Sequence, residues 1–321
     1  MSPFFAKLWR WLSALFAQRP IYRLQRQTVK FINPIAEGGF AFVDLVENCQ
    51  TRQRFALKRI LCGSEDQLKV AREEVSLLSR MRHPNIIQLV DSSEFRDGNS
   101  GQTSVLLLTS LHSKGSLLSD LAHRKTACQW YTERELLRVF LAICQGVSYL
   151  HYELQPPVAH RDIKPGNVLL DDKVGAVLTD FGSASAPSVS VSSRSDATRL
   201  QEDASRHSTI TYRAPELIHV KANSVITPKT DVWSLGCLLY AMCYGISPLD
   251  EVLESGGSIA LAVVDLHVRH SPIGRYSPAV HSLIDSMLQC NPKDRPSVKQ
   301  LVKSVSAALA NAQDSVTLIV D

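Results

Sequence analysis

A glycine-rich turn near the start of the chain is the first feature that could act on a phosphate group. Gly38 and Gly39 lie in residues 35–43, between two strand-like segments. Small residues in such a turn let backbone N–H groups approach phosphate oxygens that a side chain would shield. A Gly-Gly pair between strands is more often an ordinary hairpin, so the turn alone does not establish a phosphate site.

A lysine on an apolar strand face is the second such feature. The alternation in residues 54–60 puts Lys58 on the same face as Ala56 and Ile60. Burying an unpaired ammonium group is costly, so Lys58 needs an acidic partner, and Glu74 on the following helix could be that partner. By spacing alone, an edge-strand lysine that reaches solvent is the more common arrangement.

Three motifs in the second half of the chain give a much stronger signal. Residues 160–167 read H-R-D-I-K-P-G-N, residues 180–182 read D-F-G and residues 214–216 read A-P-E. In this order, with a glycine turn and a strand lysine upstream, they match the signature set of protein kinases. Residues 30–307 therefore resemble a protein kinase domain, and the segment at 231–236 strengthens the resemblance.

Within the kinases, the chain is similar to the Numb-associated kinase family and to its branch that contains serine/threonine-protein kinase 16. The residues that carry this resemblance lie in segments 36–40, 56–62, 212–217 and 230–242. Ala36 and Ala41 stand at the first and third glycine positions of the general kinase pattern. That family tolerates such a turn, so nucleotide binding is still expected.

The resemblance implies an α+β fold of two lobes. A small antiparallel-sheet N-lobe would span residues 30–109, a hinge residues 110–112, and a larger, mainly helical C-lobe residues 113–307. Outside this domain, the chain would carry a basic amphipathic segment at residues 1–29 and a C-terminal tail at residues 308–321.

The resemblance also implies the reaction, which is transfer of the γ-phosphoryl group of Mg-ATP to serine and threonine hydroxyls of proteins. Asp162 would accept the proton of the substrate hydroxyl, and Lys164 would steady the transferring phosphoryl group. Lys58 would hold the α- and β-phosphates and pair with Glu74. The ligands of Mg²⁺ would be Asn167 and Asp180.

Further positions follow from the same resemblance. Besides Lys58, the nucleotide would contact Ile35, Gly38, Gly39, Val43, Ala56, Thr109 (the gatekeeper position), Ser110, His112 and Leu169. The activation segment would include Asp180, Phe181, Gly182, Thr209, Ala214, Pro215 and Glu216. Lys164 together with Thr209 is typical of serine/threonine rather than tyrosine kinases. Glu216 would form a structural ion pair with Arg295.

A pseudokinase, which keeps the fold and acts as a scaffold without catalysis, is the competing hypothesis. Such proteins usually lack at least one of the residues that hold nucleotide, metal or substrate. All five diagnostic positions are intact in this chain: Lys58, Glu74, Asp162, Asn167 and Asp180. The sequence therefore favours an active enzyme, while a membrane-recruited adaptor function could coexist with activity.

Short strands and then longer helices are expected to position these residues. Runs of β-branched and aromatic residues predict strands over 40–46, 55–61 and 105–108. Charged and apolar periodicity predicts a helix over 66–82, which stops before His83-Pro84. Thr132 and Glu135 predict a capping box that opens another helix. The almost entirely apolar run at 231–243 predicts a buried central helix.

The serine-rich segment at residues 183–209 has no convincing apolar period and predicts a long functional loop. Its many hydroxyl groups make it a candidate for phosphorylation. Arg161, beside Asp162, is a cation that could receive such a phosphate through charge-assisted hydrogen bonds. The alternative is a surface serine run with no regulatory meaning.

Composition limits the class of protein. Of the 321 residues, 45% are hydrophobic and 21% charged, which is typical of a soluble globular chain. Seven cysteines without a C-x-x-C pair argue against both a disulfide framework and a zinc cluster, so a reducing, cytoplasmic setting is expected. The net charge is +4, but residues 1–36 hold six cations and no acid. The body is therefore slightly acidic, and we expect no nucleic-acid partner.

The first residues form an amphipathic pattern. Apolar side chains recur at helical spacing at Phe4, Phe5, Leu8, Leu12, Leu15 and Phe16, with Lys7 and Arg10 on the polar side. This stretch is too short and too charged to span a bilayer, so residues 3–18 are predicted to lie on an anionic membrane surface. The alternatives are a helix docked on the body, a signal anchor, or an organellar presequence at residues 1–20.

The expected location is the cytoplasmic face of an endomembrane such as the Golgi. The branch that the chain resembles is anchored by acyl chains on a glycine after Met1 and on nearby cysteines. This sequence has Ser2 and Pro3 and no cysteine before Cys49. Myristoylation is therefore not expected, and the basic amphipathic segment would replace the acyl anchor.

Overall fold

The computed structural model describes residues 20–37, 41–96, 102–266, 268, 270 and 274–312. The chain divides into two compact units. Unit 1 comprises Met1–Arg80 and Gln88–Leu111, and unit 2 comprises Met81–Ile87 and His112–Asp321. The predicted amphipathic segment at 3–18, Gly38 and Gly39, and most of the predicted tail lie outside the described residues.

Unit 1 is built on a six-stranded antiparallel sheet in the order β1-β2-β3-β4-β6-β5. Its strands are β1 (Ile21–Arg23), β2 (Thr28–Glu37), β3 (Ala41–Asn48), β4 (Arg54–Cys62), β5 (Leu89–Arg96) and β6 (Thr103–Ser110). Phe55 and Leu57 alternate toward one face and join the buried cluster of Val29, Val46, Leu106 and Leu108. Lys58 therefore points to the opposite face, as its alternation in the sequence predicts.

Among the described residues of unit 1, one segment is helical, α1 (Glu65–Arg80). It ends two residues before the predicted boundary at 82, so Met81 and Arg82 are not helical. Its buried residues are Leu68, Ala71, Glu74, Leu77 and Leu78, at the spacing of one helix face. Glu74 thus lies on the buried face of α1, although it is charged.

Unit 2 is mainly helical. Its helices are α2 (Leu117–Ala127), α3 (Glu133–Tyr152), α4 (Arg194–His207), α5 (Pro215–Ile218), α6 (Lys229–Tyr244), α7 (Asp250–Glu254), α8 (Ile259–Ala262), α9 (Pro278–Met287) and α10 (Val298–Asn311). Two short antiparallel pairs complete it: β7 (Val168–Asp171) with β8 (Gly175–Leu178), and β9 (Val189–Val191) with β10 (Ser224–Ile226). The predicted α+β class, with a sheet-based and a mainly helical part, is confirmed.

Two predictions for unit 2 are confirmed in detail. The Thr132 side chain accepts from the Glu135 backbone N–H, and the Glu135 side chain accepts from that of Thr132, so the capping box opens α3. Every residue of α6 from Thr230 to Cys243 is buried, as expected of a central helix. In the described part of the chain, no helix is long and apolar enough to cross a membrane.

The prediction of a long loop at 183–209 is wrong, because this segment contains β9 and α4. Ser193 and Asp196 form a capping box that satisfies free N–H groups at the start of α4. Ala197, Leu200 and Ala204 share one helix face and pack in a cluster with Val191, Leu217 and Ile226. Three small or medium apolar residues are enough to dock the helix, but they give only a weak period in a polar sequence.

Candidate active site

The ion pair between Lys58 and Glu74 is the charged centre of the site residues in unit 1. Lys58 Nζ lies 2.8 Å from Glu74 Oε1 and 3.1 Å from Oε2, and Glu74 is 4% exposed. β4 supplies the lysine and α1 supplies the carboxylate, which has a counter-ion despite its burial. The structure thus brings these two predicted residues together.

Neighbouring strands bring further predicted nucleotide contacts to the same face as Lys58. Val43 on β3 lies opposite Lys58, and Thr109 on β6 lies opposite Ala56. The hydroxyl of Thr109 donates to the Ala56 carbonyl at 3.4 Å. Ser110 ends β6, and Ile35 lies at a register irregularity of β2.

The carboxylate of Asp162 is the centre of the site residues in unit 2. It is 7% exposed and is held through both of its oxygens. Oδ1 accepts from the backbone N–H of Thr209 at 2.9 Å and from its hydroxyl at 3.1 Å. Oδ2 lies 2.9 Å from Asn167 Nδ2 and 2.7 Å from Lys164 Nζ. Lys164 also donates to the Thr209 hydroxyl at 2.8 Å. Motif residues 162, 164 and 167 and the activation-segment threonine thus form one cluster.

The residues predicted to hold Mg²⁺ fit that ion. Nδ2 of Asn167 donates to Asp162, so the amide is oriented with Oδ1 available as an oxygen ligand. Thr179, the residue before Asp180, is hydrogen-bonded to Asn167, because the Thr179 N–H donates to the Asn167 carbonyl at 3.0 Å. The described residues contain no cluster of three or more His, Cys, Asp or Glu side chains suited to a metal. Mg²⁺ commonly needs only one or two protein ligands beside water and phosphate oxygens.

Two residues of the site have strained backbones. Arg161 and Asp180 have φ angles of 68° and 63°, in a region of backbone conformation that residues other than glycine rarely adopt. Phe181, which follows Asp180, is 2% exposed and packs on the ring of His160 at a centroid distance of 5.0 Å. Such strain persists only where the surrounding structure fixes it, and it is common at functional sites.

A buried acid supports the loop that carries Asp162. Asp231 on α6 accepts from the backbone N–H of His160 at 2.8 Å, from that of Arg161 at 2.9 Å and from His151 Nε2 at 2.8 Å. Burial alone would raise the pKa of Asp231. The hydrogen bond from His151 and the positive charges of His151, Arg161 and His160 outweigh burial, and together they lower that pKa to about 2. The role of Asp231 was not predicted from the sequence.

Arg161, the predicted phosphate receptor, already has neutral partners. Its guanidinium donates to the hydroxyls of Ser185 at 3.2 Å and Thr230 at 2.7 Å, and to the carbonyls of Ala186 and Pro187 at 3.3 and 3.4 Å. The negative charge of Asp231 acts on it as well. Binding of an activation-segment phosphate by Arg161 stays a prediction.

The A-P-E segment is fixed by an ion pair. Arg295 Nη1 and Nη2 lie 2.7 and 2.9 Å from the two carboxylate oxygens of Glu216, and Arg295 is 1% exposed. Ala214 is buried just before α5, and Pro215 is the first residue of that helix. The predicted pairing of Glu216 with Arg295 is present and joins α5 to the segment before α10.

The remaining predicted nucleotide contacts belong to unit 2. His112 Nδ1 lies 3.0 Å from Asp171 Oδ2 at the end of β7. Leu169, on β7, is opposite Val177 on β8. The predicted nucleotide set is thus divided: residues 35, 43, 56, 58, 109 and 110 belong to unit 1, and residues 112 and 169 to unit 2.

Comparison with known proteins gives consistent matches. Residues 29–305 match the protein kinase domain family. The chain is 39% identical to serine/threonine-protein kinase 16 of Homo sapiens over 278 residues, which is 86% of this chain and 89% of that protein. It is 38% identical to the Rattus norvegicus protein of the same name, with the same coverage. It is also 30% identical to serine/threonine-protein kinase ppk13 of Schizosaccharomyces pombe, over 88% of this chain and 89% of that protein.

Proposed function

Because this chain belongs to the protein kinase family and its relatives are serine/threonine kinases, we propose that it transfers the γ-phosphoryl group of Mg-ATP to protein hydroxyls, with Asp162 as proton acceptor. One observation carries the proposal. The carboxylate of Asp162 is oriented by Asn167 and Lys164 and lies 3.1 Å from the hydroxyl of Thr209. A carboxylate in this setting can accept a hydroxyl proton.

The surrounding residues supply charge and orientation. Lys164 Nζ, 2.7 Å from Asp162, places a positive charge where an attacking hydroxyl would meet a phosphoryl group. Lys58, held by Glu74, would bind phosphate oxygens. Asn167 and Asp180 would hold Mg²⁺, which when bound with ATP neutralises charge on the phosphates. Phosphoryl transfer demands little else from a protein, because its transition state is loose.

The pseudokinase alternative is less well supported. All five diagnostic residues are present, and contacts that a catalytic role requires are formed. Lys58 pairs with Glu74, and Asn167 holds Asp162 at 2.9 Å. A scaffold without catalysis would require neither the Lys58–Glu74 ion pair nor the contact of Asn167 with Asp162.

The finer family placement and the cellular setting are also part of the proposal. Identity of 38–39% to serine/threonine-protein kinase 16 supports placement in that branch, within the Numb-associated kinases. The basic, acid-free sequence of residues 1–36 and its apolar period support recruitment to an anionic endomembrane surface such as the Golgi.

Substitution of Lys58 tests the nucleotide part of the proposal. In Lys58→Met, phosphate transfer should fall by about two orders of magnitude or more, because a charge that stabilises the transition state is lost. The variant should also lose about 3 kcal/mol of stability, because Glu74 is left buried without a counter-ion. Adding Glu74→Gln should restore most of that stability but not the activity.

The matched control is Lys69→Met, which removes an exposed lysine from α1. Its transfer rate and melting temperature should stay near those of the wild type. Undiminished transfer by folded Lys58→Met would reject the assignment of Lys58.

A further inference from the structure

A groove of about 720 Å³ in unit 2 lies between the end of α3, strand β10 and the first residues of α6 and α10. Two apolar side chains on its walls face solvent: Tyr152 is 40% exposed and Val225 is 56% exposed. Val232 and Val298, which are buried, also line it. Of the described residues that line the groove, none was assigned above to nucleotide, metal or phosphoryl transfer. Exposed apolar surface with no role in the active site indicates an interaction site.

Three lysines give this groove a positive charge. Lys229 and Lys293 line it, and Lys299 Nζ lies 4.3 Å from the centroid of the Tyr152 ring. Lys229 is half-buried, and its ammonium group donates to the Arg295 carbonyl, which fixes that charge beside the groove. Among the described residues, no carboxylate lines the groove or forms an ion pair with any of these lysines. The charge of the groove therefore favours an acidic ligand.

Strand β10 presents one of its edges to the groove. Within the described part of the chain, β10 pairs with β9 and with no other strand. Residues 223, 224, 225 and 227 all line the groove. Successive side chains of a strand point to opposite faces, so a groove lined by successive residues meets the edge of the strand. Such an edge offers backbone N–H and C=O groups to another extended chain.

We propose that this groove is a docking site for an extended acidic segment of a partner protein, which adds to β10 as a further strand. Its carboxylates would pair with Lys229, Lys293 and Lys299, and its apolar side chains would pack against Tyr152 and Val225. Main-chain hydrogen bonds would supply affinity, and the lysines would select acidic over basic segments. Docking of this kind requires no nucleotide, so the inference stands apart from the proposed phosphoryl transfer.

Binding of a labelled peptide to the full-length protein tests the proposal. The probe is a synthetic peptide of about eight residues in which aspartate alternates with valine, so that a strand of it has an acidic and an apolar face. Its affinity is measured by fluorescence anisotropy beside a peptide in which lysine replaces aspartate. We expect the acidic peptide to bind at least about tenfold more tightly. Equal affinities, or tighter binding of the lysine peptide, would overturn the inference.

Charge reversal on the protein tests the place of binding. Lys293→Glu should weaken binding of the acidic peptide by about tenfold, because repulsion replaces attraction. The matched control is Lys173→Glu, which makes the same change at an exposed position between β7 and β8 and should keep wild-type affinity. Lys299→Glu is a second test variant, should Lys293→Glu fail to fold. Wild-type affinity in the folded test variants would reject the groove as the binding site.

Backbone methylation of the peptide tests strand addition. Alternate N–H groups of a strand point to opposite edges, so two peptides are made, one methylated on the aspartate nitrogens and one on the valine nitrogens. Only the set that faces β10 is needed for pairing. One methylated peptide should therefore bind about tenfold more weakly than the other. Equal affinities of the two methylated peptides would overturn strand addition.

The competing occupant of the groove is the last segment of this chain. Residues 313–321 also combine acids with β-branched residues, with Asp314 and Asp321 on either side of an apolar run. In full-length Asp314→Asn/Asp321→Asn, affinity for the acidic peptide should stay at the wild-type value. A rise of about fivefold or more would show that this segment competes for the groove from within the chain, and would overturn the assignment to a partner protein.

Discussion

A carboxylate that touches no substrate fixes the backbone of the catalytic loop. Asp231 is fully buried and accepts hydrogen bonds from two consecutive N–H groups of that loop, those of His160 and Arg161. The next residue is Asp162, so the position of the proposed base depends on the charge state of Asp231. Because its pKa is lowered, Asp231 stays ionised well below neutral pH.

Asp231 should make stability depend on acid pH. Its pKa falls from 3.8 to about 2 on folding, so its ionised form stabilises the fold fully above pH 3.8. That contribution, about 2 kcal/mol, is lost as the pH falls from 3.8 toward 2, because the unfolded chain binds the proton first. In Asp231→Asn the melting temperature at neutral pH should fall, with a loss of about 3 kcal/mol.

Melting curves of both proteins from pH 5 downward check the sign. The gap between wild type and Asp231→Asn should narrow as the pH falls through this window. Asp172→Asn, at an exposed position, is the control and should differ little from the wild type at any pH. A gap that stays constant or widens in acid would contradict the role given to Asp231.

The ion pairs between motif residues are easier to predict from the sequence than the hydrogen-bond partners that hold other residues of the site in place. Lys58 with Glu74 and Glu216 with Arg295 were paired correctly, because each residue belongs to a motif with a family pattern. The partners of Arg213 and Arg161 could not be predicted. These partners depend on the positions of β9 and α4 in the fold. They also depend on contacts between residues far apart in the sequence, such as that of Arg161 with Thr230, 69 residues away.

Helix α4 was not predicted from the sequence, and the stability of its first turn should depend on the Ser193 hydroxyl. The Ser193 side chain accepts from the Asp196 N–H at 3.1 Å, and Asp196 in turn accepts from the Ser193 N–H. Ser193→Ala should cost about 1 kcal/mol of local stability. Amide hydrogen exchange in residues 194–198 should speed up by about fivefold, because α4 buries little apolar surface to compensate.

Ser192→Ala is the matched control, since Ser192 is exposed and lies just outside the helix. Its exchange pattern should match that of the wild type. Equal exchange in both variants would show that the capping box does not hold α4. A serine followed three residues later by an acid was the available sequence signal, but the polar composition of α4 concealed it.

At the scale of the whole chain, the fold class and the order of strands and helices were predictable, because apolar residues recur at clearly different spacings in strands and in helices. The antiparallel sheet of unit 1 and the buried helix α6 follow directly from those periods. A hinge at residues 110–112 stays a prediction; the two compact units divide between Leu111 and His112, and residues 81–87 also belong to unit 2. The small elements of residues 183–209 were not predictable, since tertiary packing stabilises them more than local propensity does.

Membrane recruitment is a property of the whole chain and remains a prediction from residues 3–18. Full-length protein should sediment with anionic liposomes, because apolar burial by residues 3–18 acts together with the six cations of residues 1–36, three of which precede Ile21, each cation contributing about 1 kcal/mol. A version that starts at Ile21 should stay in the supernatant. Full-length Leu8→Glu/Leu12→Glu should sediment weakly, while Ser13→Glu, on the polar side, should keep most of the binding.

Equal sedimentation of the intact and shortened proteins would defeat the membrane prediction. A mature N-terminus near Pro20 in the native source would instead favour the organellar presequence.

The most direct measurement of the central claim is phosphate transfer from Mg-ATP to a generic serine/threonine substrate, with wild type beside Asp162→Asn. The substitution keeps the size of the side chain and removes the proton acceptor between Asn167 and Thr209. We predict robust transfer by the wild type and a loss of about two orders of magnitude or more in the variant, measured at a temperature where both proteins are folded. Equal transfer by both proteins, or none by folded wild type with Mg-ATP, would contradict the account.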